Sequence, residues 1–114
     1  MHELSIAISL VEQLERAARR EGAERVTAVR LVVGGLSGVE REPLEFCFPM
    51  AARGTLLEGA RLEIEEVPPR VRCPACGAEE TGGPAPVAAC PRCGAAPVEI
   101  LGGRELRVRE MEVV

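Results

Sequence analysis

The sequence predicts an α+β protein: two helices and a three-stranded sheet, with a four-cysteine module inserted between two of the strands. Three observations carry this. Apolar residues at helical spacing open the chain. Runs of β-branched or alternating residues stand at 26–35, 60–67 and 104–114. Two CPxCG knuckles lie in a segment too rich in proline and glycine to build a core of its own. At 114 residues there is room for one small core and a metal-stapled appendage.

From Glu3 to Arg20, the apolar residues Leu4, Ala7, Ile8, Val11, Leu14 and Ala18 recur every three or four positions. Gly22 follows a basic last turn, where a helix stop belongs. VTAVRLVVGG (26–35) is β-branched and too short for a second helix, so it reads as a largely buried strand. GGLSGVE (34–40) is a loop. Pro43 then suits the first position of a second helix carrying Leu44, Cys47, Phe48, Ala51 and Ala52 on one face. Pro49 lies inside that helix, which predicts a kink or a break near 45–49.

ARLEIEEV (60–67) alternates as a half-exposed strand. The tail 104–114 alternates too, but Met111 and Val113 are out of phase with Leu106 and Val108, which predicts a bulge at Arg109–Glu110. If the two strands pair antiparallel, Arg107 and Arg109 face Glu63 and Glu65. Solvated charges on an open face are the alternative. The expected organisation is thus one domain from 1–67 plus 104–114, interrupted by a second module at 68–103.

The core must be aliphatic, because the chain has two Phe and neither Tyr nor Trp. The charge is −4, from 18 Glu against 14 Arg with no Lys or Asp. An acidic surface poor in aromatics suits neither phosphate backbones nor base stacking, so nucleic acid is not an expected partner. No run of about 18 apolar residues predicts a membrane span. The apolar stretch 4–11 lacks a basic leader and is flanked by Glu3, Glu12 and Glu15, against a signal peptide. A cytoplasmic protein is expected, in which paired cysteines are metal ligands or redox groups rather than structural disulfides.

CPACG (73–77) and CPRCG (90–94) carry the most specific signal. In each, a tight turn aims two thiolates at one point, and the glycine frees backbone N–H groups to bond sulfur. Cys73, Cys76, Cys90 and Cys93 together supply the tetrahedral ligand set of a structural Zn2+ site. An iron site or a redox dithiol is the competing reading. The fifth cysteine, Cys47, reads as a small buried hydrophobe.

His2 is the only histidine. A terminal residue is most simply unstructured, but this one has a helix directly behind it. Its bulk is expected to preserve Met1, whose amine, with a backbone amide and the imidazole, would form fused five- and six-membered chelate rings. That nitrogen set suits planar Ni2+ or Cu2+.

MHELSIAISLVEQ, GGLSGVE, LEFCF, GTLLEGARLEIEE and the paired CPxCG knuckles before GGRELRVREME together resemble the HypA/HybF family of nickel metallochaperones, over nearly the whole chain. The resemblance implies a small α/β nickel domain with a zinc ribbon inserted, and a non-enzymatic protein. It implies Ni2+ as cargo, with His2 as ligand and the backbone of Glu3 as co-ligand, and zinc on the four knuckle cysteines. The implied partners are a HypB-like GTPase and the [NiFe]-hydrogenase large subunit, with urease as recipient in some organisms; a homodimer stays open. The chain departs from the family at Pro49, where members carry another residue, often acidic. Proton competition for the imidazole is expected to weaken nickel binding below about pH 6. The alternative is a zinc-ribbon interaction module for nucleic acid or a protein, which basic and aromatic loop residues would mark; the loop at 77–89 reads GAEETGGPAPVAA. An enzyme would need an acid/base pair, which the sequence does not offer.

Overall fold

The computed structural model describes residues 2–81, 90, 92–94 and 98–114. Within these the order is α1 (His2–Arg20), β1 (Val26–Gly34), α2 (Arg41–Ala52), β2 (Arg61–Val67), β3 (Arg70–Arg72), β4 (Glu79–Thr81), β5 (Glu99–Gly102) and β6 (Leu106–Val113). One sheet has the order β2-β1-β6 and a second the order β4-β3-β5. The chain divides into two compact units, the first comprising Met1–Val32, Val39–Glu65 and Arg107–Val114, the second Val33–Gly38 and Glu66–Leu106.

In the first unit α1 forms because an apolar stripe can be buried along its length, but the stripe is rotated from the one expected. Glu3, Ala7, Val11, Leu14 and Ala18 are buried, whereas Ile8 is exposed. The helix stops in a double C-terminal turn, with Ala23 N donating to Ala18 O and Gly22 N to Arg19 O. Its inner face joins Val26 and Val29 of β1, Phe48 and Ala52 of α2 and Leu57 in one cluster, onto which Leu62, Val108 and Met111 pack. Phe48 is the largest fully buried side chain, the one aromatic ring in an otherwise aliphatic core.

Of the kink or break expected in α2 the break does not occur, and the expected start at Pro43 is corrected. α2 is one continuous helix through Pro49, and it begins at Arg41, which puts Pro43 in the third helical position rather than the first. Both prolines fit for the same reason. Pro43 lies among the first four residues, whose N–H groups have no intrahelical acceptor in any helix. The carbonyl that Pro49 leaves without its intrahelical donor belongs to exposed Glu45, so the lost bond costs less there than it would in the core.

β1 is the central strand of its sheet. Arg25 N and Val114 N bond Val114 O and Arg25 O at one end, and Gly34 N bonds Glu105 O at the other, so β6 runs antiparallel to β1. Val26 N bonds Leu56 O and Gly35 N bonds Val67 O, so β2 runs parallel to β1 with α2 as the crossover. The expected direct pairing of β2 with β6 is therefore corrected, because β1 lies between them. Arg109 still pairs with Glu65, reaching over β1, while Arg30 of β1 takes Glu63 at 3.4 Å together with Glu110 and Glu112. Val108 and Met111, three residues apart, both pack on the core, out of step with strict two-residue alternation.

In the second unit three short strands share a small sheet. β3 pairs antiparallel with β4 through Val71↔Glu80 and with β5 through Val71↔Ile100. The end of β1 and the loop behind it belong here through backbone bonds Gly34 N to Glu105 O and Leu36 N to Gly103 O. The approach is so close that a Cβ on Gly34 would stand 2.1 Å from Gly103 O.

Candidate metal centres

The first knuckle hangs between β3 and β4, where Cys73 N bonds Ala78 O and closes the hairpin. Gly77 donates its N–H to Cys73 O and Gly94 to Cys90 O, each from a positive φ near 75° that a side chain would disfavour. Cys76 N then points at Cys73 Sγ (3.4 Å), and Cys93 N (3.5 Å) and Arg92 N (3.3 Å) at Cys90 Sγ. These donors stabilise thiolate over thiol: they bring Cys73 down to about 6 and lower Cys90, against the opposing effect of burial.

All four sulfurs lie within 4.8 Å of one another. Cys73 and Cys93 sulfurs are 3.5 Å apart and those of Cys76 and Cys90 3.8 Å. A tetrahedron of sulfurs at the zinc–thiolate bond length has edges of about 3.8 Å. The donor set therefore fits a tetrahedral metal ion with shifts of no more than about 1 Å in the sulfur separations, and the five cysteines are all unbridged. Arg92 on the second knuckle pairs with Glu80 of β4, and Arg72 of β3 with Glu99 of β5, so ion pairs brace the strands around the centre. Of the loop 77–89, residues 82–89 lie outside the described residues.

The other candidate residues stand at the start of α1. His2 is its first residue, and its Nε2 lies 3.0 Å from Glu3 Oε2. Met1, whose amine the sequence offers as a ligand, lies outside the described residues. Glu3 is the one buried charged residue among those described, at 7% exposure. Its Oε2 also accepts the backbone N–H of Glu40 at 3.3 Å. Glu40 is the N-cap of α2 and makes no side-chain capping bond of its own, so the Glu3 carboxylate caps the neighbouring helix instead.

Sequence reasoning offered only the backbone of Glu3 and missed its side chain. The signal was available: residue 3 precedes Ala7 and Val11 at four-residue steps, on the stripe that becomes buried. A glutamate there needs a buried partner. Cys47 is 1% exposed among core residues of α2 and is not a member of the four-sulfur cluster.

A tetrathiolate module carried with a two-helix, three-stranded unit defines a small metal-binding α+β protein. A family described as "Hydrogenase/urease nickel incorporation, metallochaperone, hypA" matches residues 1–113. A hydrogenase maturation factor HypA from Chlorobaculum tepidum is 53% identical over 117 aligned positions, covering 99% of both chains. One from Streptomyces avermitilis is 49% identical, covering 95% of this chain and 83% of its own. The solution structure of the Ni metallochaperone HypA from Helicobacter pylori shares the fold, with a TM-score of 0.69 at 22% identity over 98% of this chain and 97% of that one. The chain belongs to the HypA family of nickel-incorporation metallochaperones for hydrogenase and urease.

Proposed function

We propose that this chain carries Ni2+ on the N-terminal turn of α1 and delivers it to a hydrogenase under maturation, while the four knuckle cysteines hold a permanent structural zinc. The observation that carries this reading is the oriented imidazole: His2 Nε2 sits against a carboxylate that is itself buried and bonded. Partners of this kind fix the ring of a metal-ligating histidine. With Nε2 so directed, the six-membered chelate closes through Nδ1 and the residue's own amide nitrogen. The amides of His2 and Glu3 fall in the first turn, where no intrahelical acceptor competes for them.

The same position favours release. The positive end of the α1 dipole opposes a cation, and the Glu3 carboxylate offsets that opposition. Ligands at a chain end exchange one at a time without unfolding the core. The thiolate centre does the reverse: zinc there supplies the crosslink that short strands β3, β4 and β5 need. We assign nickel handling to 1–67 plus 104–114 and zinc to 68–103.

On this reading the protein is a cytoplasmic carrier rather than an enzyme, and its partners are a HypB-like GTPase and the hydrogenase large subunit, with urease a second recipient. A nucleic-acid role finds less support, because Arg72 and Arg92 are already engaged by Glu99 and Glu80.

The test is complementation of a host lacking its own nickel-incorporation protein, grown at limiting nickel. Wild type is expected to restore nickel in the hydrogenase, and His2→Ala to fail although the variant accumulates zinc-loaded. Equal restoration by both would overturn the proposal.

A further inference from the structure

Leu36 and Ser37, in the loop that follows β1, have no part in either metal centre, yet they form one wall of an open cleft in the second unit. With Val98, Ile100 and Arg104 they line a space of about 680 Å³. That volume falls within the range of ligand pockets, roughly 300–1,000 Å³. Backbone bonds hold the walls. Leu36 N donates to Gly103 O at 2.6 Å and Ser37 N to Gly34 O at 3.0 Å, while Ile100 stands opposite Val71 in the small sheet. Val98 and Ile100 are two residues apart and share a face. Together with Leu36 they bring three half-buried aliphatic side chains to the cleft.

Arg104 supplies the one charge of this lining. It is exposed, and it has no ion pair among the described residues. Elsewhere the chain matches its arginines to its surplus of glutamates, as at Arg30, Arg72, Arg92 and Arg109. The carboxylate next in sequence, Glu105, is engaged by the backbone and accepts the Gly103 N–H at 2.6 Å.

We propose that this cleft captures the C-terminal end of a partner polypeptide, its terminal carboxylate on Arg104 and its apolar last side chain against Leu36, Val98 and Ile100. Charge complementarity selects that occupant. The described lining offers one cation and no anion, so the ligand brings a single negative charge and no ammonium. A free amino acid would set its ammonium beside aliphatic walls with no carboxylate to receive it, a desolvation that nothing offsets. In a peptide that amine has become an amide, and the carboxylate is the only charge left at the chain end. A guanidinium suits it, because two parallel N–H donors bind both oxygens at once. A bare inorganic anion would leave the aliphatic walls uncovered. Capture of a chain end through its carboxylate is a recurrent mode of peptide recognition. Because Arg104 is exposed, salt screens the attraction and the complex is weak and reversible. None of the five lining residues is a proposed metal ligand, so failure of this site and failure of nickel carriage are separate results.

The test is a resonance titration of the tagless, zinc-loaded, isotope-labelled full chain. The probe is the peptide acetyl-Ala-Ala-Val-Leu with a free C-terminal carboxylate, beside the same peptide as its C-terminal amide. The free acid is expected to shift the backbone signals of Leu36, Ser37 and Ile100 saturably, and the amide to bind roughly fivefold more weakly or worse. Replacing the last leucine of the probe by glycine should weaken binding by about tenfold or more. Arg104→Gln, at an exposed position, should keep its zinc and its melting temperature and bind acid and amide alike. A general loosening of the cleft would weaken both ligands and leave that preference in place. The proposal is overturned by an absence of saturable shifts, by shifts that lie elsewhere, by equal binding of acid and amide to wild type, or by an Arg104→Gln variant that still prefers the acid. Octanoate binding as tightly as the peptide would overturn it too, by making the cleft a fatty-acid site.

Discussion

One carboxylate oxygen of Glu3 accepts the backbone N–H of Glu40 at 3.3 Å and lies 3.0 Å from Nε2 of His2. A single buried side chain therefore links the candidate nickel ligand to the N-terminus of α2. The two roles separate by substitution. Glu3→Gln keeps an acceptor for Glu40 but loses the charge beside His2. It should melt within about 1 kcal/mol of wild type yet bind nickel roughly tenfold more weakly. Glu3→Ala abandons the Glu40 amide as well and should lose about 1–3 kcal/mol of stability. Denaturant titration alongside nickel titration of the two variants checks this.

The thiolate centre should depend on acidity in a defined direction. The Cys73 thiol is brought down to about 6 and Cys90 is lowered, chiefly by backbone N–H donors. A group whose pKa is depressed by folding stabilises the folded form above its ordinary value and loses that contribution as pH falls through the lowered one. A bound metal depresses thiols further. Zinc should therefore stay in place at pH 7 and be released with a midpoint below pH 6, which a chromogenic chelator reads directly. A midpoint above pH 7 would contradict the donor geometry.

Removal of one sulfur should be far more damaging than removal of the isolated cysteine. Cys73→Ser is expected to abolish stoichiometric zinc, and with it the order of β3, β4 and β5. Cys47→Ala replaces a small buried side chain by a smaller one, should cost about 1–2 kcal/mol, and should leave zinc at one per chain. Metal content by mass spectrometry of the native protein distinguishes the two.

Gly34 is predicted to be intolerant of any side chain. An added Cβ would meet Gly103 O at 2.1 Å and Glu105 N at 2.7 Å, both backbone atoms that cannot turn aside. Gly34→Ala should destabilise by about 2–4 kcal/mol, the range of severe steric substitutions. Gly22→Ala has open space around its new Cβ and meets only the penalty of its positive φ, so it should cost about 1 kcal/mol. Thermal melts of the pair measure the contrast.

What the sequence made legible was what short-range chemistry decides. Each knuckle needs five consecutive residues to make its turn, so Cys73, Cys76, Cys90 and Cys93 could be paired by spacing alone, and their sulfurs meet as that spacing implies. The helix over α1 was equally plain from its periodicity. The rotation of its buried stripe onto Glu3 was not, because apolar periodicity gives a carboxylate no weight. Position in the sheet was hidden for another reason. Alternation at 60–67 and 104–114 tells which residues share a face, but not that β1 lies between β2 and β6; that depends on contacts remote in sequence. Pro49 pointed to a break that does not occur, because a helix-breaking rule gives no weight to where the freed carbonyl lies, and Glu45 is exposed. Strands as short as Arg70–Arg72 and Glu79–Thr81 carry too few residues for any pattern to register.

The central claim is that His2 holds the nickel, and a stoichiometric titration tests it most directly. Ni2+ is added to zinc-loaded protein whose intact mass shows Met1 as the unmodified first residue, wild type beside His2→Ala. The account predicts one nickel per chain on wild type, none of comparable affinity on the variant, and one retained zinc on both. Equal nickel binding by the two proteins, or displacement of the zinc by nickel in wild type, would contradict it.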